Sequence, residues 1–241
     1  MKLICYLSNG YPTSDHCIKL ADKYVEAGAD VIEIDVPCFN PYLEGAQIAG
    51  RMKEVLANND NYEDYLNNIA TIKNKHPNTQ FIVMAYESTI LDIGFDHFVE
   101  FLKTNNLLDT IVVGDEKQNV KEKLMKEGIR VTCYVQLKML EEEIAAAKKS
   151  DGFVYVQAKA PQEDINPDYP TLKDCLIHLK DCGLDKHEFY CGVGVHTLED
   201  VRMVKEAGAD GAFIGKAILD YTNDFEKLVE TIQKYKEVAT E

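Results

Sequence analysis

The sequence predicts an α/β protein that folds as a single (β/α)₈ barrel, the TIM-barrel architecture, over residues 1–241. Short apolar runs alternate with longer amphipathic stretches along the chain, and this order is typical of a parallel sheet covered by helices. The apolar runs number eight. Most of them are continuously apolar, as expected for strands that are buried on both faces. The chain length also suits one barrel of this kind.

The predicted strands are separated by stretches that are long enough to hold helices. The strands are Leu3–Leu7, Val31–Val36, Phe81–Ala85, Thr110–Gly114, Val131–Val135, Phe153–Gln157, Glu188–Cys191 and Gly211–Ile214. The helices include Ser14–Ala27, Tyr62–Lys75, Phe95–Thr104, Val120–Glu127, Leu140–Lys148, Leu172–Asp181 and Leu198–Ala207. Ser14 and Thr197 are suited to cap helix starts. Glycines suited to end helices are Gly28, Gly128, Gly183 and Gly208.

A doubly wound open sheet is the alternative fold. It usually has a glycine-rich loop directly after the first strand, whereas this chain reads SNGYP at Ser8–Pro12 and has its glycine-rich loops near the end. The segment EAGAD occurs twice, at Glu26–Asp30 and Glu206–Asp210, and each copy leads from a predicted helix into a predicted strand. Strict alternation over eight strands favours the barrel.

Composition excludes several classes of partner. The chain has 41 acidic against 26 basic residues and a formal net charge of −15, so it is not suited to bind nucleic acid or an anionic membrane surface. Seven cysteines without a CxxC pair argue against a zinc site or a disulfide framework. The apolar stretch at the N-terminus is too short for a signal peptide. We therefore expect a cytoplasmic protein that uses no metal and no cofactor.

The second predicted strand carries two acids toward the barrel interior. Because side chains alternate along a strand, Glu33 and Asp35 share the inward face with Val31, while the residues between them face the helices. Desolvation raises the pKa of a buried carboxyl, which suits Glu33 to acid–base catalysis near neutral pH. The alternative is a buried glutamate satisfied by a lysine or a backbone amide. Asp35 is either a second catalytic carboxylate or a solvated rim residue.

The loop after this strand, Pro37–Gly45, carries a further candidate, Glu44. Because βα loops form the active-site face of such barrels, we expect Glu44 over the same pocket as Glu33. The alternative for Glu44 is an exposed acid that complements the dipole at a helix start.

Two glycine-containing segments follow the last two strands and predict a phosphate site. They are CGVGVHT, with Gly192, Val193 and Gly194, and GAFIGKA, with Gly215 and Lys216. Glycines let backbone amides approach a phosphate, and phosphate sites after strands seven and eight recur in these barrels. The alternative is a tight βα turn without a ligand. Lys216 either adds a charge to the phosphate or points away.

Several motifs together resemble the tryptophan synthase alpha subunit family. They are GYPT at Gly10–Thr13, the first EAGAD, and E-I-D-V-P followed by N-P-Y-L-E-G in 33–45. The resemblance runs from Leu3 to about Tyr221. It implies a carbon–carbon lyase that cleaves indole-3-glycerol phosphate to indole and glyceraldehyde 3-phosphate by a retro-aldol reaction.

The resemblance also implies roles for individual residues. Glu33 matches the family's acid–base glutamate, and Glu44 stands where the family has an aspartate that holds the indole N–H. Tyr86 and Tyr155 match pocket tyrosines, with ordinary core packing as the alternative for each. The two glycine segments match the family's phosphate site, where a serine is usual at the position of Lys216.

Other segments depart from the family pattern. They are the residues after Asp115, the loop Gln136–Lys138 after strand five, and 158–164 after strand six, where the family usually has Ser-Arg-x-Gly-Val-Thr-Gly. These departures make a tryptophan synthase beta subunit a doubtful partner. They also leave two alternatives. With Asp35, Glu44, Lys159 and Lys216, the site suits a different, more polar phosphorylated substrate, or the barrel binds a phosphorylated ligand without catalysis.

Overall fold

In a computed structural model of the chain, which describes residues 1–114 and 118–241, the described residues form nine parallel strands in one sheet. The strands are β1 (Lys2–Leu7), β2 (Val31–Asp35), β3 (Gln80–Tyr86), β4 (Asp109–Val113), β5 (Arg130–Val131), β6 (Cys133–Val135), β7 (Val154–Gln157), β8 (Phe189–Gly192) and β9 (Gly211–Ile214). Their order in the sheet is β5-β4-β3-β2-β1-β9-β8-β7-β6. Every strand predicted from the sequence is present, and the fifth is divided into β5 and β6.

The sheet closes into a barrel at this division. β5 pairs with β4 and β6 pairs with β7, and Thr132 alone separates the two short strands. The amide of Thr132 still donates to the carbonyl of Thr110 at 2.8 Å, so the ladder continues up to the break. Gly152 allows the close packing here, because a Cβ on it would lie 2.8 Å from the carbonyl oxygen of Val131. The predicted (β/α)₈ barrel is confirmed, and the open-sheet alternative is wrong.

Helices cover the outside of the barrel. In the described ranges they are α1 (Ser14–Glu26), α2 (Ala46–Asn58), α3 (Tyr62–Lys75), α4 (Glu87–Ile93), α5 (Phe95–Thr104), α6 (Val120–Lys126), α7 (Glu141–Ala147), α8 (Leu172–Leu179), α9 (Leu198–Ala207), α10 (Lys216–Leu219) and α11 (Phe225–Thr240). A 3₁₀ turn at Gln162–Asp164 and a π-helical segment at Lys180–Leu184 complete the list. In these ranges no helix combines the length and apolarity needed to cross a membrane.

Two helix starts test the predicted caps. Thr197 caps α9 as predicted, in a capping box with Asp200. The predicted cap Ser14 is wrong, because Ser14 is the first residue of α1 and the hydroxyl of Thr13 accepts the hydrogen bond from the amide of His16. A capping side chain satisfies an amide that has no partner within the helix.

The alternation predicted for β2 is confirmed and positions the candidate acids. Ile32 and Ile34 are fully buried in the layer between the sheet and the helices. Val31 lies in a separate cluster inside the barrel, with Tyr190 and Phe213 among its neighbours. Because the side chains of a strand alternate between its two faces, Glu33 and Asp35 share the interior face with Val31.

Candidate active site

Glu33 lies inside the barrel near its C-terminal mouth, beside Tyr6 in the β1–β2 ladder. Glu33 as a residue is partly exposed, and its carboxyl makes no hydrogen bond or ion pair with any residue in 1–114 or 118–241. Burial raises the pKa of Glu33 to about 8, and the charges of Glu44 and Asp35 contribute less to this rise. No lysine or backbone amide among the described residues bonds to Glu33, so the structure does not support the alternative of a satisfied glutamate.

Asp35 is buried rather than solvated. It is 1% exposed, so the rim alternative is wrong. The hydroxyl of Tyr6 and the amide of Asn9 each donate to its carboxylate at 2.6 Å. Burial raises the pKa of Asp35 to about 7, although both hydrogen bonds lower it. Asn9 is fixed in turn, because its side chain donates to the carbonyl of Tyr65 and accepts from Asn68. Asp35 therefore ties the β1–α1 loop to β2 beneath the mouth.

Glu44 faces the pocket from the loop before α2. The hydroxyl of Tyr86 donates to Glu44 Oε1 at 3.3 Å and accepts from the amide of Leu43 at 3.2 Å. Burial raises the pKa of Glu44, and the hydrogen bond from Tyr86 opposes that rise. The alternative of an exposed helix-start acid is wrong, since Gly45 caps α2 and Glu44 is only partly exposed. The charge of Glu44 in turn adds to the rise in the pKa of Glu33.

Tyr155 lies between Glu33 and the glycine loop after β8. Its ring stacks on Phe213 with centroids 4.5 Å apart and meets Tyr134 edge-on at 5.5 Å. A Cβ on Gly192 would lie only 2.3 Å from the Tyr155 hydroxyl, so glycine is required there for this ring position. Burial raises the pKa of Tyr155 well above its usual value, and the charge of Glu33 adds to that rise. The ring is packed, as the core alternative expects, but it also borders the mouth.

The sequence analysis did not identify Tyr134 as a site residue. Tyr134 is the middle residue of β6 and is 38% exposed, and its ring lies edge-on beside that of Tyr155. The alternation of Cys133, Tyr134 and Val135 in a short strand is a signal that this tyrosine lies on the inward face.

The two glycine segments lie side by side because β8 and β9 are paired. Val193 and Gly194 have φ values of 55° and 99°, and they form the tight turn that the alternative expected. In this turn the amides of Gly194 and Val195 donate no hydrogen bond to any described residue. Gly215 precedes α10, and its carbonyl accepts from two amides of that helix. The turn therefore leaves donors available for an anion.

Lys216 and a second lysine flank this turn. Lys216 is exposed, and no described residue forms an ion pair with it. Lys159, on the loop after β7, pairs with the carboxylate of Asp200. Burial opposes ionisation of Asp200, but hydrogen bonds from Lys159 and from the amides of His196 and Thr197 lower its pKa to about 2. No pattern in the sequence indicates that Asp200 belongs to this region.

Asp115, after which the sequence departs from the family pattern, lies outside the described residues, as do Glu116 and Lys117. Within the described ranges, no group of three or more His, Cys, Asp or Glu side chains is arranged to hold a metal ion.

The raised pKa values of Glu33 and Asp35 predict how stability depends on pH. Both carboxyls ionise near pH 4 in the unfolded chain but at about 8 and 7 in the barrel. The barrel therefore binds these protons more tightly, so their contribution to the free energy of unfolding is largest below pH 4 and is lost as pH rises toward 8. Glu33→Gln should remove the share that comes from Glu33.

Urea unfolding of the wild-type chain and Glu33→Gln between pH 5 and pH 9 measures this effect. We expect the variant to gain stability relative to the wild type as pH rises, by on the order of 1–3 kcal/mol at pH 9 after allowance for partial water access. A stability difference that stays constant over this range would show that Glu33 titrates normally.

Comparison with known proteins gives a consistent result. A family model described as tryptophan synthase alpha chain matches residues 1–241. The tryptophan synthase alpha chain of Methanosarcina barkeri is 25% identical over 239 residues, which are 96% of this chain and 89% of that protein. A structure of tryptophan synthase from M. tuberculosis has a TM-score of 0.80 at 24% identity, covering 99% of this chain and 92% of that one. The alpha subunit from Legionella pneumophila has a TM-score of 0.82 at 22% identity, with the same coverage.

Proposed function

The chain belongs to the tryptophan synthase alpha chain family, a lyase family that cleaves indole-3-glycerol phosphate, and on this premise we propose how its residues perform that cleavage. The observation that carries the proposal is the environment of Glu33. Its carboxyl lies in the mouth of the barrel, has no partner among the described residues, and titrates at about 8. A carboxyl of this kind donates and accepts protons at neutral pH.

Glu33 is the general acid–base in this proposal. The reaction breaks the bond between C3 of the indole ring and C1 of the glycerol phosphate. The protonated carboxyl of Glu33 gives its proton to indole C3, and its carboxylate then takes the proton of the C1 hydroxyl. The electron pair of the breaking bond returns to the ring, and C1 becomes the aldehyde of glyceraldehyde 3-phosphate. No other reactant is needed, so atoms and charge balance.

Two further carboxylates support this step. Glu44 accepts the indole N–H and stabilises the positive charge that develops on the ring when C3 is protonated. The side chain of Glu44 is one methylene longer than the family's aspartate, and the hydrogen bond from Tyr86 orients it. Burial keeps Glu33 largely protonated at neutral pH, and the charge of Asp35 adds to this effect.

The remaining residues hold the two ends of the substrate. Tyr86 and Tyr155 border the indole slot, and the amides around Val193 and Gly194, with Gly192 and Gly215 as close-approach positions, bind the phosphate. Lys216 adds a positive charge at the same end. The aromatic packing of Tyr155 against Phe213 and Tyr134 supports this assignment.

We extend the proposal to the partner and the cell compartment. The residues after Asp115 and the segments Gln136–Lys138 and 158–164 depart from the family pattern. We therefore propose that cleavage does not depend on a beta subunit. The odd number of cysteines without CxxC pairs fits a reducing compartment, and we propose the cytoplasm.

Release of indole from indole-3-glycerol phosphate tests the proposal. The purified chain is expected to release indole and glyceraldehyde 3-phosphate in equal amounts, at the same rate with and without an added tryptophan synthase beta subunit. Failure to release indole under both conditions would contradict the proposed reaction. Release that requires the beta subunit would contradict only the independence of the chain.

A further inference from the structure

The backbone of the loop after β7 is hydrogen-bonded to β8 and to the turn that follows it at Val193 and Gly194. The amide of Ala158 donates to the carbonyl of Gly192 at 2.7 Å, and the amide of Lys159 donates to the carbonyl of Val193 at 3.2 Å. The first bond continues the β7–β8 ladder beyond the end of β7, and the second joins the loop to the turn. The start of the loop therefore has a fixed position beside the turn.

The side chain of Lys159 crosses directly over Gly194. A Cβ on Gly194 would lie 2.7 Å from the Cβ of Lys159, and this close approach requires glycine. From there the ammonium reaches the carboxylate of Asp200 at the start of α9. The lysine side chain is thus held at both ends, and its Cβ and Cγ pass over Gly194, whose amide makes no described hydrogen bond.

Asp200 holds Lys159 in position and still leaves N–H donors of its ammonium free for a ligand. Its side chain is 7% exposed, and one of its oxygens accepts from the amides of His196 and Thr197 at 2.8 and 2.9 Å. Its negative charge is therefore shared with the N-terminus of α9. An ammonium has three N–H donors, and among the described residues Lys159 pairs only with Asp200. Donors of the ammonium therefore remain free for a ligand.

We propose that Lys159 is a phosphate ligand of the substrate and that Asp200 positions it. This inference rests on the proposed function, because it takes the phosphate to lie on the amides of Gly194 and Val195. Those amides supply direction and Lys159 supplies a localised charge. Both lysines are exposed, but Lys216 differs from Lys159 because no described residue forms an ion pair with it. The bound phosphate also links the loop after β7 to the turn after β8.

Binding of glycerol 3-phosphate, measured by calorimetry, tests the proposal without turnover. Lys159→Gln is expected to raise the dissociation constant by about tenfold or more, as for loss of one charged hydrogen-bond donor, while Lys159→Arg stays close to the wild type. Lys138→Gln is the matched control. Lys138 is similarly exposed and pairs with Asp164, so its replacement should leave binding unchanged.

Chemical labelling of the wild-type chain avoids any effect of mutation on folding. Glycerol 3-phosphate should slow acetylation of Lys159, followed by mass spectrometry, and should leave acetylation of Lys138 unchanged. Unchanged binding by Lys159→Gln, no protection of Lys159, or no measurable binding by the wild type would each overturn the inference. A merely structural clamp predicts a lower unfolding midpoint for Lys159→Gln with an unaltered dissociation constant.

The inference and the proposed function fail separately. If glycerol 3-phosphate binding depends on Lys159 but no indole is released from indole-3-glycerol phosphate, the reaction is wrong and the ligand assignment stands. If indole is released while Lys159→Gln binds glycerol 3-phosphate normally, the ligand assignment alone is wrong.

Discussion

Replacing Glu33 by glutamine is expected to lower kcat for indole release by about a thousandfold, with little change in KM. Glutamine keeps the size of the side chain but neither donates a proton to carbon nor accepts one, and loss of a positioned acid–base group typically costs a factor of about 10² to 10⁴. Because Glu33 has no described partner, the variant should fold, with the gain in stability at high pH that its raised pKa predicts. Steady-state kinetics of indole release measure both constants.

An exposed glutamate supplies the control for this variant. Glu54 lies on the solvent side of α2, and Glu54→Gln makes the same chemical change with no expected effect on either constant. If Glu33→Gln retained more than about a tenth of the wild-type kcat, Glu33 would not be the acid–base group.

Of the substitutions that add a single methyl group to the site, Gly192→Ala is expected to lower stability and activity most. The new Cβ would lie 2.3 Å from the hydroxyl of Tyr155 and 2.6 Å from its ring, and the ring is confined by Phe213 and Tyr134. Relieving this overlap displaces Tyr155 and costs about 1–3 kcal/mol of stability. We expect kcat/KM to fall at least about tenfold, since displacements near 1 Å in a positioned site cost a factor of up to about 10².

Kinetics and urea unfolding of Gly192→Ala are compared with Gly50→Ala. Gly50 lies within α2, and a Cβ there meets no atom within 4 Å, so alanine should stabilise the helix by about 0.5–1 kcal/mol and leave activity unchanged. Equal behaviour of the two variants would mean that Tyr155 tolerates displacement and does not hold the substrate.

The sequence predicted the features that depend on local patterns. The alternation from Val31 to Val36 correctly placed Glu33 inside the barrel, and the sequence of apolar runs correctly predicted the closed sheet. The bounds of α1 were predicted less well. Thr13 and Ser14 are both good capping residues, and tertiary packing decides which of two such neighbours begins a helix.

Contacts between distant segments were beyond the reach of sequence reasoning. The sequence alone did not decide whether Asp35 is a catalytic or a rim residue. Its burial depends on contacts with Tyr6 and with Asn9, which is 26 residues away. The pairing of Lys159 with Asp200 spans 41 residues and depends on how β7 and β8 bring their loops together. One sequence shows the residue types but not which strand ends become neighbours.

A crystal structure of Glu33→Gln with uncleaved indole-3-glycerol phosphate tests the central claim most directly. We expect the amide of residue 33 to lie within about 3.2 Å of the C1 hydroxyl or in contact with indole C3. The Glu44 carboxylate should accept the indole N–H, and the phosphate should lie on the amides of Gly194 and Val195. A phosphate bound elsewhere, or an indole ring that contacts neither residue 33 nor Glu44, would contradict the account.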